Sequence, residues 1–134
     1  MSNITLKDYL TSSGKYLDRE KSAELTSEKL ENAKKLLTAV NALLAEAGIL
    51  SASVSSGFRP LAANVAAGGA KLSNHTKCLA VDIVDNNHYI ANKMTPELLR
   101  KHGLFMENEA YTKTWCHLQY TPNMKDRPSR RFVP

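Results

Sequence analysis

A single carboxylate interrupts a short apolar run in the second half of the sequence. Residues 79–84 read LAVDIV, and their length and β-branched character are typical of a buried strand. Asp82 lies in the middle of this run, where an unpaired carboxylate would cost several kcal/mol. The fold must therefore bring a cation, several hydrogen-bond donors or a metal ion to Asp82.

The rest of the pattern predicts one domain of mixed helices and strands. Apolar residues recur at spacings of three and four after Thr26, which predicts an amphipathic helix that ends at Gly48. Shorter helices are predicted over 6–10 and 95–102, and strands over 51–56, 79–84, 104–107 and 115–120. A long loop is expected over 59–72, which contains a proline, two glycines and several alanines. We therefore expect a single α+β domain over residues 1–134.

Composition excludes several classes of protein. Of the 134 residues, 43% are hydrophobic and 23% are charged, which is too apolar for a disordered chain. The apolar stretch 42–50 is far shorter than the roughly 20 residues of a membrane span. The first residues lack a basic segment followed by an apolar block, so no signal peptide is expected. Two cysteines are too few for a disulfide framework.

The net charge of +5 favours anionic partners, such as nucleic acid or an acidic cell-wall polymer. Four basic residues lie within the last ten positions: Lys125, Arg127, Arg130 and Arg131. We interpret them as a solvated basic tail. No recognised nucleic-acid motif accompanies them, so no specific nucleic-acid partner is expected. The sequence gives no indication of the oligomeric state.

Two histidines are candidate partners for Asp82. His75 lies seven residues before it, and His117 lies in a predicted strand with Trp115 and Gln119 on the same face. Two imidazoles and a carboxylate form a suitable set of three zinc ligands that leaves a fourth position for water or substrate. The alternative is a buried aspartate that accepts backbone amides, beside two histidines with structural roles.

The two cysteines offer a different metal site. Cys78 lies close to His75, and Cys116 adjoins His117, so thiolates and imidazoles could form a closed structural zinc site. The alternation of side chains along a strand argues against this arrangement, because Cys116 should face away from His117 and into the core.

Several short motifs occur in the order of one metallopeptidase family. They are Ser56-Gly-Phe-Arg59-Pro60, Asn64, Gly68-Gly-Ala70, Ser73-Asn-His75, Ala80-Val-Asp82-Ile83 and Trp115-Cys-His117-Leu-Gln119. The sequence thereby resembles the zinc D-alanyl-D-alanine carboxypeptidases and L-alanyl-D-glutamate endopeptidases, which share a hedgehog-like fold. Among these enzymes it is similar to small members of phage or prophage type.

The resemblance implies an α+β fold with a small antiparallel sheet and flanking helices. It implies one zinc ion held by His75, Asp82 and His117, with Arg59 on a substrate carboxylate or carbonyl oxygen. It also implies that Ser73 lies beside the site as a substrate partner, although a serine bonded to the local backbone is an equal interpretation. The expected reaction is hydrolysis of an amide bond in the peptidoglycan stem peptide by metal-activated water.

The sequence departs from the family pattern at two positions. Thr114 stands three residues before the last histidine, where the better-known enzymes have a catalytic acid. We therefore predict Glu107 as the general base, with Glu109 as the other candidate and solvated turn acids as the alternative for both. Cys78 stands where the family has glycine, a residue suited to a left-handed backbone.

Two functional hypotheses follow from these observations. The first is a cell-wall peptidase that acts from the host cytoplasm after release, or as part of a virion. The second is a zinc-stabilised binding or virion structural module without a general base, which Thr114 favours. In both hypotheses zinc is the expected cofactor.

Overall fold

The computed structural model describes residues 3–11, 22–66, 68, 73–121, 125 and 127–134. In these ranges the α-helices are α1 (Leu6–Thr11), α2 (Ser27–Glu46), α3 (Leu61–Ala66) and α4 (Pro96–Lys101). The strands are β1 (Val54–Ser56), β2 (Ala80–Val84), β3 (Phe105–Glu107), β4 (Trp115–Gln119) and β5 (Arg131–Phe132). Short 3-10 helices occur at Asn74–Lys77, Asn86–His88 and Ala91–Lys93. No helix in the described ranges combines the length and apolarity needed to cross a bilayer.

The five strands form one sheet in the order β1-β2-β4-β3-β5. All pairings are antiparallel except that of β5, which lies parallel to β3 at the edge. The helices and the antiparallel core of the sheet confirm the predicted α+β class. The parallel edge strand β5 was not predicted.

The sheet has one apolar face, and its other face carries polar side chains beside apolar ones. On β2 and β4 the apolar face carries Val81, Ile83, Cys116 and Leu118, all of which are buried in the core. The alternate residues of these strands point to the other face, because successive side chains of a strand alternate. Asp82 is among them, so the pleat separates the charged group from the core.

Helix α2 supplies the largest helical part of the core. The Thr26 side chain accepts a hydrogen bond from the Lys29 amide at its N-terminus, and Gly48 follows its end with a φ of +76°. Its apolar side buries Ala33, Leu36, Leu37, Val40, Leu43 and Leu44. Burial of each leucine contributes roughly 1.5–3 kcal/mol relative to exposure. The helix predicted from Thr26 to Gly48 is confirmed.

The prediction of a loop over residues 59–72 is wrong in its first half. Helix α3 occupies Leu61–Ala66, and the Asn64 amide donates to the Pro60 carbonyl in its first turn. Proline is well suited to a helix start, and alanine has the highest intrinsic helix propensity. The glycine and proline signals therefore outweighed the alanines in the sequence interpretation, although they only bracket the helix. Residues 67 and 69–72 lie outside the described residues.

The interpretation of the last ten residues as a solvated tail is also wrong for two arginines. Arg130 is buried, donates from Nε to the Leu104 carbonyl at 3.0 Å and stacks 3.7 Å from the Phe105 ring centroid. Arg131 donates from Nε to Glu109 Oε2 at 2.8 Å. These two residues attach β5 to the sheet edge, whereas Lys125 and Arg127 are exposed.

Gly57 lies where α1 crosses the end of β1. A Cβ at this position would overlap the carbonyl oxygen of Tyr9. That oxygen accepts the Phe58 amide at 3.2 Å, and the Tyr9 hydroxyl donates to the Ala80 carbonyl at 2.8 Å. Close backbone approach, rather than a left-handed conformation, therefore requires glycine here.

We expect Gly57→Ala to destabilise the protein by about 3 kcal/mol or more, because the overlap is with backbone atoms that cannot rotate away. Urea denaturation followed by circular dichroism measures the change. Gly48→Ala is the control: its Cβ would meet nothing within 4 Å, so only the left-handed backbone costs about 1 kcal/mol. Equal losses in the two variants would contradict the overlap.

Candidate metal centre

One row of side chains crosses the face of the sheet opposite the apolar one, at the level of Asp82. Ser56 of β1 lies opposite Asp82, and Asp82 lies opposite His117 of β4. The register of β3 and β4, continued by one residue, brings Glu107 opposite His117, and Glu107 is paired with Phe132 of β5. Directly opposed residues share a face of a sheet. Five strands thus contribute one residue each to the row.

The carboxylate of Asp82 is the centre of this row. His117 Nδ1 lies 2.8 Å from Oδ1, while His75 Nε2 and Arg59 Nη2 lie 3.2 and 3.4 Å from Oδ2. Burial raises the pKa of Asp82, but the electrostatic effect of His75 and the hydrogen bond from His117 outweigh burial. They hold the pKa well below its usual range. The partners required by a buried carboxylate are therefore two histidines and an arginine.

His75 reaches Asp82 from a single 3-10 turn, Asn74–Lys77. The Ser73 side chain caps this turn by accepting the His75 amide at 3.2 Å, and Cys78 ends it with a φ of +59°. The His75 ring places Nδ1 2.9 Å from the Gly57 carbonyl oxygen. Because a carbonyl only accepts, Nδ1 carries the proton, and Nε2 faces Asp82. Burial lowers the pKa of His75.

His117 has the complementary arrangement. Its Nδ1 faces Asp82, and its Nε2 lies 2.9 Å from Oε1 of Gln119. Burial lowers the pKa of His117, but the hydrogen bond to Asp82 and its charge outweigh burial and raise the pKa above its usual value. In each of the two imidazoles, one nitrogen meets a carbonyl-type oxygen and the other points at the carboxylate.

These three residues fit a metal ion. His75, Asp82 and His117 offer ligand atoms that all lie within 4.8 Å of one another, and all three are buried. Two nitrogens and a carboxylate oxygen suit zinc, and the outward hydrogen bonds of the imidazoles orient them as zinc ligands are usually oriented. Among the residues that the structure describes, this is the one group of three or more histidines, cysteines or acids whose ligand atoms lie close enough together to hold an ion.

The thiol alternative finds no support in the geometry. Cys78 and Cys116 are free and buried, and neither joins the cluster. Burial raises the pKa of the Cys78 thiol to about 12, and burial also raises the pKa of the Cys116 thiol. Cys78 adopts the left-handed conformation expected of a glycine position.

Arg59 lies at the edge of the cluster in a fixed orientation. Its Nε donates to Ser56 Oγ at 2.8 Å, and its Nη1 lies 3.4 Å from Asn64 Oδ1. Its backbone amide donates to the His75 carbonyl. The Ser56 to Arg59 motif therefore contacts the cluster at two points: Arg59 donates to Asp82, and the Gly57 carbonyl contacts His75.

The two candidate acids have different surroundings. Glu107 is half-buried on the face of His117, and burial raises its pKa. Burial also raises the pKa of Glu109, but the hydrogen bond from Arg131 outweighs burial, so the pKa of Glu109 is lowered. Thr114 is exposed just before β4, and its carbonyl accepts the Asp85 amide. Of the two acids, Glu107 is the one that lies on the same face of the sheet as Asp82 and His117.

Sequence reasoning assigned no role to two residues of the site. The alternation along β4 predicts Gln119 on the face of His117, but the two-residue spacing does not show that its amide meets the imidazole. Phe132 lies with its ring centroid 5.7 Å from that of His117, edge to face. No local pattern in the basic C-terminal segment pointed to this contact.

Comparison with known proteins adds one finding. Residues 8–119 match the family model described as Peptidase M15. The matched range includes every residue of the cluster and ends at Gln119, so β5 lies outside it. No curated protein sequence matches the chain.

We expect Asp82→Asn to destabilise the metal-free protein by about 3 kcal/mol at neutral pH, because Arg59 and His117 lose the anion they surround. The depressed pKa of Asp82 means that its contribution is present above about pH 4, the unfolded value, and is lost as pH falls through the folded value. The difference from wild type should therefore shrink in acid.

Urea denaturation in EDTA between about pH 2 and 8 measures this difference. Glu31→Gln, at an exposed position on α2, is the control and should change stability by no more than about 0.5 kcal/mol. A pH-independent loss in Asp82→Asn would mean that packing, and not charge, is affected.

Proposed function

The chain belongs to the Peptidase M15 family, and on that basis we propose that it is a zinc peptidase of bacterial cell walls. Its substrate would be an amide bond of the peptidoglycan stem peptide, of the D-Ala-D-Ala or L-Ala-D-Glu type. The observation that carries the proposal is the buried cluster of His75, Asp82 and His117 with Glu107 on the same face.

The ligand set supports an open catalytic site. His75, Asp82 and His117 would hold the ion with three ligands, which leaves a position for water or substrate. Zinc bound there supplies a Lewis acid and lowers the pKa of a water molecule to about 7. The remaining steps belong to residues of this chain.

Glu107 is the proposed general base. It takes a proton from the attacking water as the new C–O bond forms, and it returns that proton to the amine nitrogen as the C–N bond breaks. Its half-buried position raises its pKa, which strengthens the carboxylate as a base. Glu109 is less suited, because Arg131 holds its carboxylate.

Arg59 and Ser73 are the proposed substrate-binding residues. The Arg59 guanidinium, oriented by Ser56 and Asn64, suits a substrate carboxylate or carbonyl oxygen. Ser73 uses its oxygen to accept the His75 amide, so its hydroxyl hydrogen can donate to the peptide. The proposal includes a lytic or wall-remodelling role of phage type, in which the protein meets the wall after release or from a virion.

A second candidate function is a zinc-stabilised binding module. The observation that favours it is Thr114, an exposed threonine where the family motif has its acid. The two functions differ in one respect: the module binds zinc and does not turn over peptide.

Zinc binding is the first test. We expect the wild type to bind one zinc ion per chain, and His75→Gln and His117→Gln to weaken binding by at least about 100-fold, since each removes a ligand. His102→Gln, which alters a histidine paired with Glu46, is the control and should bind normally. Metal analysis and chelator competition measure the affinities. A wild type without stoichiometric zinc would overturn the proposal.

Turnover of peptidoglycan is the second test. We expect Glu107→Gln to keep its zinc but lose about 100-fold or more in rate, because the base is removed and the ligands are not. Glu109→Gln is the matched control and should retain most of the activity. Mass spectrometry of digested stem peptides measures the rate and identifies the bond. A zinc-loaded wild type that releases no peptide would support the binding module instead.

A further inference from the structure

Gln119 is a buried polar residue next to the metal centre. It lies on β4 two residues after His117, on the same face of the sheet, and only 5% of its surface is exposed. Its Oε1 lies 2.9 Å from His117 Nε2, and its Nε2 donates to Thr121 Oγ1 at 3.3 Å. The second bond directs the amide nitrogen away from the imidazole and the amide oxygen toward it.

An imidazole can bind a metal ion only through a nitrogen that carries no proton. The Nδ1 of His117 faces Asp82 at 2.8 Å, so this is the nitrogen that lies on the side of the cluster. The proton must then reside on Nε2, where it needs an acceptor because the ring is buried. Oε1 of Gln119 is in the position of that acceptor.

We propose that Gln119 is a positioning residue of the metal centre. Its amide oxygen holds the proton of His117 on Nε2, keeps the ring in its plane and leaves Nδ1 for zinc. This inference rests on the proposed zinc site. The corresponding acceptor for His75 is the main-chain carbonyl of Gly57, which a side-chain substitution cannot remove.

The surroundings of Gln119 argue against a role in packing alone. Its cross-strand neighbours, Ala80 and Phe105, are buried and apolar. An apolar side chain of the same length would fill this position without the cost of burying an amide. The amide therefore contributes through its hydrogen bonds, of which the one to His117 reaches a predicted ligand.

Two variants separate the hydrogen bond from the packing. Gln119→Met keeps the length of the side chain and removes the acceptor, whereas Gln119→Glu keeps an acceptor oxygen. We expect Gln119→Met to weaken zinc binding about 10- to 100-fold, the usual effect of removing an outer hydrogen-bond partner of a metal ligand. We expect Gln119→Glu to bind zinc within about threefold of wild type or more tightly.

The experiment measures zinc dissociation constants by chelator competition at constant pH, with urea denaturation of the metal-free variants alongside. Nitrogen-15 spectra of the zinc-loaded wild type provide a second readout, and they should show His117 protonated on Nε2. Equal zinc affinities of Gln119→Met and wild type would falsify the inference, as would a zinc-loaded protein in which Nε2 carries no proton. Gln119→Glu that binds as weakly as Gln119→Met would also overturn it, because the acceptor would then not matter.

The outcomes also distinguish this inference from the function on which it rests. If the wild type binds no stoichiometric zinc, the metal centre itself is wrong. If the wild type binds zinc and Gln119→Met binds it equally well, the centre stands and only the role of Gln119 fails.

Discussion

The structure depends on how one buried carboxylate is compensated. Asp82 lies on β2, between β1, which ends at Ser56, and β4, which carries His117. Its carboxylate accepts from Arg59 and His117 and lies 3.2 Å from His75 Nε2. Removal of any one partner would leave a charge in a place that water scarcely reaches. The groups that compensate this buried charge include two histidines, and with Asp82 these form the set of potential metal ligands.

The proposed base, Glu107, comes from a neighbouring strand and not from the position along the chain where the family motif has its acid. Residue 114, where the related motif has its acid, is an exposed threonine just before β4. Glu107 instead comes from β3, the strand beside β4, and the register brings it opposite His117. A sheet can thus supply a carboxylate to one histidine from the same strand or from its neighbour. The edge strand β5 covers Glu107 on its other side and adds the Phe132 ring to the row.

The sequence was informative where the signal was local or carried by ordered motifs. The apolar run around Asp82 predicted β2, and the three-and-four spacing predicted α2. Helix α3 was missed because its alanines stand between proline and glycine signals. Arg130 and Arg131 were misinterpreted because their partners, Leu104 and Glu109, lie more than 20 residues away in the chain. Gln119 was visible on the correct face, but its role depends on which nitrogen of His117 faces Asp82, and no spacing encodes that.

The two faces of the sheet separate stability from chemistry. The core face of β2 and β4 buries Val81 and Leu118 against the apolar cluster that includes α2, and this packing requires no metal ion. The opposite face of the same strands carries Asp82 and His117, which are hydrogen-bonded to each other, and the turn Asn74–Lys77 adds His75 beside them. In the proposed site, zinc would replace the proton on His117 Nδ1, so its binding would compete with protons. Acceptors outside the cluster, namely the Gly57 carbonyl and the Gln119 amide oxygen, would favour the ion in that competition, because they would hold the remaining protons on the outer nitrogens.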